Sequence, residues 1–291
     1  MSTAVPALLR HLIDDAALYP PGNAPMPVAV AEHRRHRAAP YRDLVGPLLV
    51  PASRYDELAE HLADAPLELG LIGDRGVRHL LGVAERALAD PRVRLARLEC
   101  VVEDSGPLGA RDAGLALDGV PDEITVYVEL RRDDDVADGV RALADLPSRH
   151  AIGAKLRTGG STAAAFPTDA ELAGFVDICL AADHPFKLTA GLHRAVRHTD
   201  PATGFEYHGY LNVLVAVCLG ALDRAYPTVE AALAERDPAP LVEAAQRMYG
   251  MPGEATESRT WFASYGSCSI AEPLGDLVAL GLLDPTLRKS P

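Results

Sequence analysis

The chain has 291 residues, 48% of them hydrophobic, which suits one or two globular domains with a sizeable core. Its formal net charge of −13 argues against nucleic acid or an anionic membrane surface as the main partner. No apolar run is long enough to span a bilayer and no leader-like segment opens the chain, so we expect a cytoplasmic protein.

Eight apolar runs alternate with Ala- and Leu-rich segments of helical periodicity. We predict strands over the apolar runs: Leu8–Ile13, Val45–Val50, Leu67–Ile72, Leu95–Val102, Ile124–Leu130, Ala151–Leu156, Phe186–Ala190 and Trp261–Tyr265. We predict helices between and after them: Val28–Arg37, Tyr55–Leu62, Val77–Ala89, Val136–Leu146, Asp169–Ala182, Leu211–Leu222 and Leu274–Leu282. The segment Leu108–Leu117 is a further helix candidate that its glycines weaken.

Strands that alternate with helices pair in parallel, and eight such units predict a single α/β domain, a (β/α)8 barrel over residues 1–291. An open doubly wound sheet is the alternative, but prolines stand after the first strand where that fold needs a glycine-rich loop. Residues 193–260 exceed the minimal repeat. We expect them to form an extra helical segment, with two short helices between Arg224 and Arg259, that acts as a lid or a subunit contact. Whether the chain forms a homo-oligomer stays an open question.

Lysine is rare in this chain and marks the ends of two predicted strands. Of 28 Lys and Arg residues, only Lys155, Lys187 and the C-terminal Lys289 are lysine. A desolvated lysine can lose its proton and become a nucleophilic amine, which arginine cannot do. Side-chain alternation turns Lys155 and Lys187 inward on adjacent strands, where burial and the second positive charge would leave one amine neutral. Such an amine attacks a carbonyl carbon and forms an iminium.

Acidic and aromatic residues follow the same strand-end pattern. Glu99 and Glu129 are candidates for proton transfer, as is the second lysine. Asp14 could face the cavity, and Tyr19 could either line it or pack beneath a loop. The alternative for the lysines is that each pairs with a carboxylate and only stabilises the barrel, and Glu99 could form a structural ion pair with Arg97.

Three runs at these strand ends, KLRTGG, FKLTAG and YGSCS, resemble motifs of class I aldolases of the deoxyribose-phosphate aldolase type. The resemblance implies a lyase in which Lys155 forms the Schiff base and Lys187 is its electrostatic and proton-relay partner. It also implies an anion site in the turn Gly266–Ser269 at the start of the last helix, with Ser267 and Ser269 as ligands.

The substrate that this pattern predicts is a small aldehyde or ketone, with or without an anionic group such as phosphate. Further candidates for substrate binding follow strands six and seven: Arg157, Thr189, His193, Arg194, Arg197 and His208. The three arginines among them would neutralise an anion.

Two other functions stay open. His193, His198 and His208 could hold a divalent metal together with barrel carboxylates, which predicts a metal-dependent isomerase or hydrolase. Their spacing matches no standard metal motif and the neighbouring arginines oppose a bound cation, so we expect neither metal nor cofactor. The third possibility is a barrel that binds a metabolite without catalysis.

The four cysteines are scattered without a paired motif, which favours reduced thiols. Cys268 near a predicted helix start is a possible nucleophile. It ranks below the lysines because the sequence places no histidine to serve it.

Overall fold

The structure is a computed structural model that describes residues 4–102, 106–132, 136–147, 152–221 and 228–288. Its centre is a closed barrel of eight parallel strands, so the predicted (β/α)8 barrel is confirmed. The barrel strands are β1 (Ile13–Asp15), β2 (Val45–Pro51), β3 (Leu67–Gly73), β4 (Val93–Val101), β5 (Thr125–Leu130), β6 (Ile152–Arg157), β7 (Phe186–Thr189) and β10 (Phe262–Ser267). We call the end formed by the C-termini of these strands the mouth.

Helices follow the strands around the barrel. They are α1 (Met26–Ala38), α2 (Tyr55–Ala59), α3 (Val77–Ala89), α4 (Gly106–Leu117), α5 (Val136–Ala144), α6 (Asp169–Ala181), α7 (Tyr210–Ala221), α8 (Val229–Ala234), α9 (Pro238–Tyr249), α10 (Pro252–Trp261) and α11 (Ala271–Ala279). The glycine-containing candidate is therefore helical, as α4. The predicted element ends at Ala151 and Leu222, and Lys289, lie outside the described residues.

The first predicted strand is wrong in position. The apolar residues Ala7–Leu9 form a short 3-10 turn, and β1 begins only at Ile13. Leu8, Leu9 and Leu12 are fully buried. The apolar run therefore indicates that this segment is buried, but it does not indicate a strand. As a result the acidic pair of β1, Asp14 and Asp15, lies inside the strand instead of after it.

A capping box fixes the start of α6 just beyond β6. The Thr168 hydroxyl accepts a hydrogen bond from the Glu171 amide at 3.2 Å, and the Glu171 carboxylate accepts one from the Thr168 amide at 2.7 Å. These bonds satisfy two of the amide groups that a helix start leaves free. The loop between β6 and α6 is thereby held at a defined place beside the mouth.

The segment after β7 has two parts. A hairpin, β8 (His198–Thr199) and β9 (Glu206–Tyr207), lies beside the β6–α6 loop, where Tyr207 packs on Phe166 with ring centroids 4.5 Å apart. In the other part, α10 packs at the N-terminal end of the barrel, and Arg259 donates to the Arg10 carbonyl at 3.3 Å. The sequence predicts two short helices between Arg224 and Arg259, whereas α8, α9 and α10 lie in the described part of this region. A lid role for the segment stays a prediction.

Gly46 of β2 gives the Asp14 carboxylate its space inside the barrel. A methyl group on Gly46 would overlap Asp14 Oδ1. We expect Gly46→Ala to lower the free energy of unfolding by about 1–3 kcal/mol, because the added atom displaces a buried charged side chain. Urea denaturation measures the change.

The matched control is Gly82→Ala on the exposed face of α3, where an added methyl group meets nothing within 4 Å. That variant should gain about 0.5–1 kcal/mol, because alanine is the better helix former. A Gly46→Ala protein as stable as wild type would show that the Asp14 carboxylate does not need this space.

Candidate active site

Strands β6 and β7 place two lysines side by side. Lys155 and Lys187 are opposite each other in the strand register, and their residues are 4% and 0% exposed. Their ammonium groups bind the two oxygens of a single carboxylate: Lys155 Nζ lies 2.8 Å from Glu99 Oε2, and Lys187 Nζ donates to Glu99 Oε1. The alternation of side chains along each strand therefore does turn both lysines inward.

Each lysine also has a second acid. Lys155 Nζ lies 2.8 Å from Glu129 Oε2, and Lys187 Nζ donates to Asp14 Oδ2 at 2.6 Å. The other oxygen of Glu129 accepts a hydrogen bond from Arg157 Nε at 3.3 Å. Acidic and basic side chains thus alternate through one continuous cluster. The sequence predicts these residues as separate candidates and does not predict their contacts.

Asp14 is the deep acid of this cluster. Its Oδ2 accepts from three donors: Lys187 Nζ, the Ser264 hydroxyl at 2.7 Å and Arg97 Nη1. Arg97 Nη1 also donates to the Ser264 oxygen at 2.8 Å. Arg97 therefore pairs with Asp14, and the alternative of a structural pair between Arg97 and Glu99 is wrong as a direct contact.

Two inward residues of the cluster are missing from the sequence-based candidates. Ser264 precedes Gly266 by one period of the strand, and Tyr127 precedes Glu129 in the same way. The Tyr127 ring lies beneath the Arg97 guanidinium at 5.3 Å. Extending the period of two backwards along each strand would have found both.

Opposite charges outweigh burial in this cluster. Burial raises the pKa of Glu99, but Lys155, Lys187 and Arg97 outweigh that effect and lower it to about 2. Burial lowers the pKa of Lys155, but the Glu129 and Glu99 carboxylates outweigh that effect and raise it. The prediction of a resting neutral amine is therefore wrong for Lys155, because its ammonium meets carboxylates instead of facing the second ammonium alone.

Exposure rises toward the mouth. The side chains of Lys187, Lys155, Glu129 and Arg157 are 0%, 5%, 9% and 53% exposed, in that order. A molecule entering from solvent therefore meets Arg157 and Glu129 first, then Lys155. Lys187 lies behind them.

Tyr19 and Thr189 lie at strand ends around the same cluster. Tyr19 is in the loop after β1, and its buried hydroxyl has no hydrogen-bond partner among the described residues. Burial, followed by the charge of Glu99, raises the pKa of this hydroxyl. Thr189 ends β7 in register with Arg157.

The two arginines after β7 are already paired with carboxylates. Arg194 binds Asp276 through two hydrogen bonds, each of 2.9 Å. Arg197 donates to Asp169 at 2.5 Å and lies 3.2 Å from Glu206. None of these contacts brings either guanidinium to the lysines, so their predicted part in binding a substrate anion gains no support.

The three histidines of this segment point to different partners. His208 is buried and its Nε2 lies 2.7 Å from the Pro167 carbonyl, while His198 stacks on Tyr207 at 5.3 Å. The His193 ring centroid lies 6.5 Å from that of the same Tyr207 ring, and its Nδ1 faces Cys268 after the last barrel strand. Among the described residues, no group of three or more His, Cys, Asp or Glu side chains is arranged to hold a metal.

His193 meets Cys268, a contact that the sequence does not indicate. Its Nδ1 lies 3.7 Å from Cys268 Sγ and 3.7 Å from Glu272 Oε2. The residues meet because β7 and β10 are neighbours in the closed barrel. Burial raises the pKa of the Cys268 thiol and lowers the pKa of His193, so this pair favours the neutral thiol and imidazole.

In the turn after β10, the hydroxyls of Ser267 and Ser269 form hydrogen bonds with nearby backbone groups. Ser267 donates to the Ser269 carbonyl at 2.7 Å and accepts from the Ser269 amide at 3.3 Å, while the Ser269 hydroxyl accepts from the Glu272 amide at 3.3 Å. An anion at this turn would have to displace these bonds. The predicted anion site stays a prediction.

Comparisons with protein-family models, with curated proteins and with solved structures find no match. Within the described ranges, no helix has the length and apolar character needed to cross a membrane. The geometry by itself defines a class: a (β/α)8 barrel whose mouth covers a buried cluster of lysines and carboxylates.

The low pKa of Glu99 makes the stability of the protein depend on acid pH. A carboxylate with a depressed pKa stabilises fully above its unfolded value and loses that contribution as the pH falls to its folded value. For Glu99 the window runs from 4.5 down to about 2. The loss between pH 7 and pH 3 is on the order of 2 kcal/mol.

Urea unfolding of wild type and Glu99→Gln at both pH values measures this loss, because the variant has no carboxylate to titrate at this position. We expect the stability advantage of wild type to shrink from pH 7 to pH 3. An advantage that stays constant would show that Glu99 is not held ionised by the lysines.

Proposed function

We propose that this chain is a lyase of the class I aldolase type, which forms a Schiff base between Lys155 and a small aldehyde or ketone. The observation that carries the proposal is the pair of buried lysines at neighbouring strand ends that share Glu99. Arginine would supply the same charge, but only lysine can give up a proton and attack a carbonyl. In barrels of this class the chemistry takes place at the mouth.

Lys155 is the better nucleophile of the two because of its position. It lies nearer the solvent, next to Glu129 and Arg157, whereas Lys187 is enclosed by Asp14 and Glu99. Lys187 then acts as the fixed cation that keeps Glu99 ionised. Its charge also disfavours a second positive charge nearby once a carboxylate has been neutralised.

The first step is a proton transfer inside the cluster. Glu129 lies 2.8 Å from Lys155 Nζ and can take its proton, which neutralises both groups without leaving a new charge buried. The free amine adds to the carbonyl carbon, and the protonated Glu129 gives its proton to the oxygen. Glu129 then takes a second proton from the attached nitrogen and passes it to the same oxygen, so that the C–O bond breaks and water leaves. The resulting iminium withdraws electrons from the neighbouring C–C bond, which can then break or form.

The other two functions have less support. A metal-dependent isomerase or hydrolase would need the nitrogens of His193, His198 and His208 to converge on one ion. Among the described residues these nitrogens instead contact the Cys268 thiol, the Val196 carbonyl and the Pro167 carbonyl, respectively. A barrel that binds a metabolite without catalysis needs no nucleophile, and the trapping experiment below separates it from a lyase.

Sodium borohydride, added with propanal, glycolaldehyde, pyruvate or glyceraldehyde 3-phosphate, should reduce the iminium and leave a permanent mass gain on the peptide that contains Lys155. Lys155→Arg should abolish the adduct and keep the fold, because arginine retains the charge but has no nucleophilic amine at this pH. Peptide mass spectrometry detects the adduct, and circular dichroism checks the fold.

The chain supplies its own control for this experiment. Lys289→Arg, in the C-terminal tail, removes the same kind of group and should leave trapping unchanged. Adduct at full yield in Lys155→Arg would move the nucleophile to Lys187. If none of the four compounds gives an adduct, the lyase proposal fails and the metal-dependent enzyme and the metabolite-binding barrel are left as alternatives.

Glu129→Gln tests the proton acceptor. The variant keeps the shape of the side chain but cannot take the proton from Lys155, so we expect iminium formation to slow by about 100-fold. The rate at which the reduced adduct accumulates on Lys155, in borohydride and at a fixed aldehyde concentration, measures this. Glu243→Gln removes an exposed carboxylate of α9 and should have no effect. Equal rates in both variants would exclude Glu129.

A further inference from the structure

Three tyrosine hydroxyls are buried without a hydrogen-bond partner among the described residues: those of Tyr19, Tyr55 and Tyr265. Burying a polar group without a hydrogen-bond partner lowers the stability of the fold, so each of these hydroxyls needs an explanation. Tyr55 is on α2, with its ring under Arg86 outside the barrel. Tyr265 points outward from β10 and stacks on Tyr210 of α7. Only Tyr19 stands in a loop at the mouth.

The backbone around Tyr19 is anchored on two sides. The Ala16 amide donates to the Ser267 carbonyl at the end of β10 at 2.7 Å, and the Tyr19 amide donates to the Ala16 carbonyl at 2.9 Å. On the other side, the Asp15 carboxylate lies 2.9 Å from His33 Nδ1 of α1, and both side chains are buried. The loop therefore holds its tyrosine in place before any ligand arrives.

The charges acting on the Tyr19 hydroxyl connect it to the lysine cluster. Burial, together with the negative charges of Glu99, Asp74 and Glu129, raises its pKa, which Arg54 only partly opposes. Glu99 and Glu129 are the two carboxylates that hold Lys155. The hydroxyl consequently keeps its proton at neutral pH and is available as a donor.

Three serine hydroxyls at these strand ends are already engaged. Ser53 donates to Asp74, Ser264 donates to Asp14 at 2.7 Å, and Ser267 donates to a backbone carbonyl at 2.7 Å. The carboxylates of the cluster can only accept while they are ionised. The Tyr19 hydroxyl is thus a buried donor in a loop at the same barrel end as Lys155, and it has no acceptor among the described residues.

We infer that the Tyr19 hydroxyl binds the carbonyl oxygen of the aldehyde or ketone that Lys155 attacks, which makes Tyr19 a further catalytic residue of the function proposed above. As the Nζ–C bond forms, the electron pair of the C=O bond moves onto the oxygen. The Tyr19 O–H donates to that developing negative charge. Two protons from nitrogen pass in turn through Glu129 to the same oxygen, which leaves as water, so no external reactant is needed beyond the carbonyl compound.

The inference rests on the proposed function, and one experiment separates the two. The rate of borohydride trapping on Lys155 is measured with propanal for wild type, Tyr19→Phe and Tyr55→Phe. We expect Tyr19→Phe to trap about 100-fold more slowly, because it loses one donor to the developing charge. Tyr55→Phe removes another unpartnered tyrosine hydroxyl, on α2 outside the barrel, and should trap at the wild-type rate.

Thermal unfolding controls for the fold. Tyr19→Phe should keep or raise the Tm, because the hydroxyl that it deletes has no partner. Should it fail to fold, 3,5-difluorotyrosine introduced at position 19 keeps the donor and strengthens it, and trapping should then be as fast as in wild type or faster. A slower rate in that protein would overturn the inference.

Equal trapping rates in wild type and Tyr19→Phe overturn the role of Tyr19 and leave the Schiff base intact. Equal slowing in Tyr19→Phe and Tyr55→Phe also overturns it, because the effect would then follow from repacking alone. If wild type forms no adduct with any carbonyl compound, the proposed function fails and this inference fails with it.

Discussion

The interior of this barrel depends on the ion pairs that the Glu99 carboxylate forms with the ammonium groups of Lys155 and Lys187. Removing a charged group from water costs several kcal/mol, and only close opposite charges repay that cost. Here three carboxylates face Lys155, Lys187 and Arg97 in an alternating order that leaves few charges alone. Strand order and glycine placement both serve this arrangement, since Gly46 leaves room for Asp14 and adjacent strands bring the lysines together.

This balance changes how a lysine here becomes reactive. Repulsion between two ammonium groups, which the sequence suggests, is offset by the shared acid, and the pKa of Lys155 is raised. In the proposed lyase, reactivity comes from moving a proton within the cluster, and the most exposed of the acids, Glu129, is beside the more exposed lysine. In this proposal the cluster is protected at rest, because the Lys155 amine is free only while Glu129 carries the proton.

The sequence predicts the barrel well because seven of its strands are apolar runs bounded by turn residues. It misses the first strand, where buried leucines form a turn and the strand itself contains two aspartates. Alternation along a strand correctly turns Lys155 and Lys187 inward. Partner choice is not readable in this way: Asp14 meets Ser264, and His193 meets Cys268, only because the barrel closes.

Barrel closure also determines at what stage of chain synthesis the lysine–carboxylate cluster can form. The last strand, β10, lies between β1 and β7, so it joins the two ends of the chain. A ribosome that has released everything up to β7 has produced both lysines and every acid of the cluster, but the seam between Asp14 and Lys187 is still open to water. Incomplete or truncated chains therefore lack the closed, water-poor cluster, and their lysines and carboxylates stay hydrated.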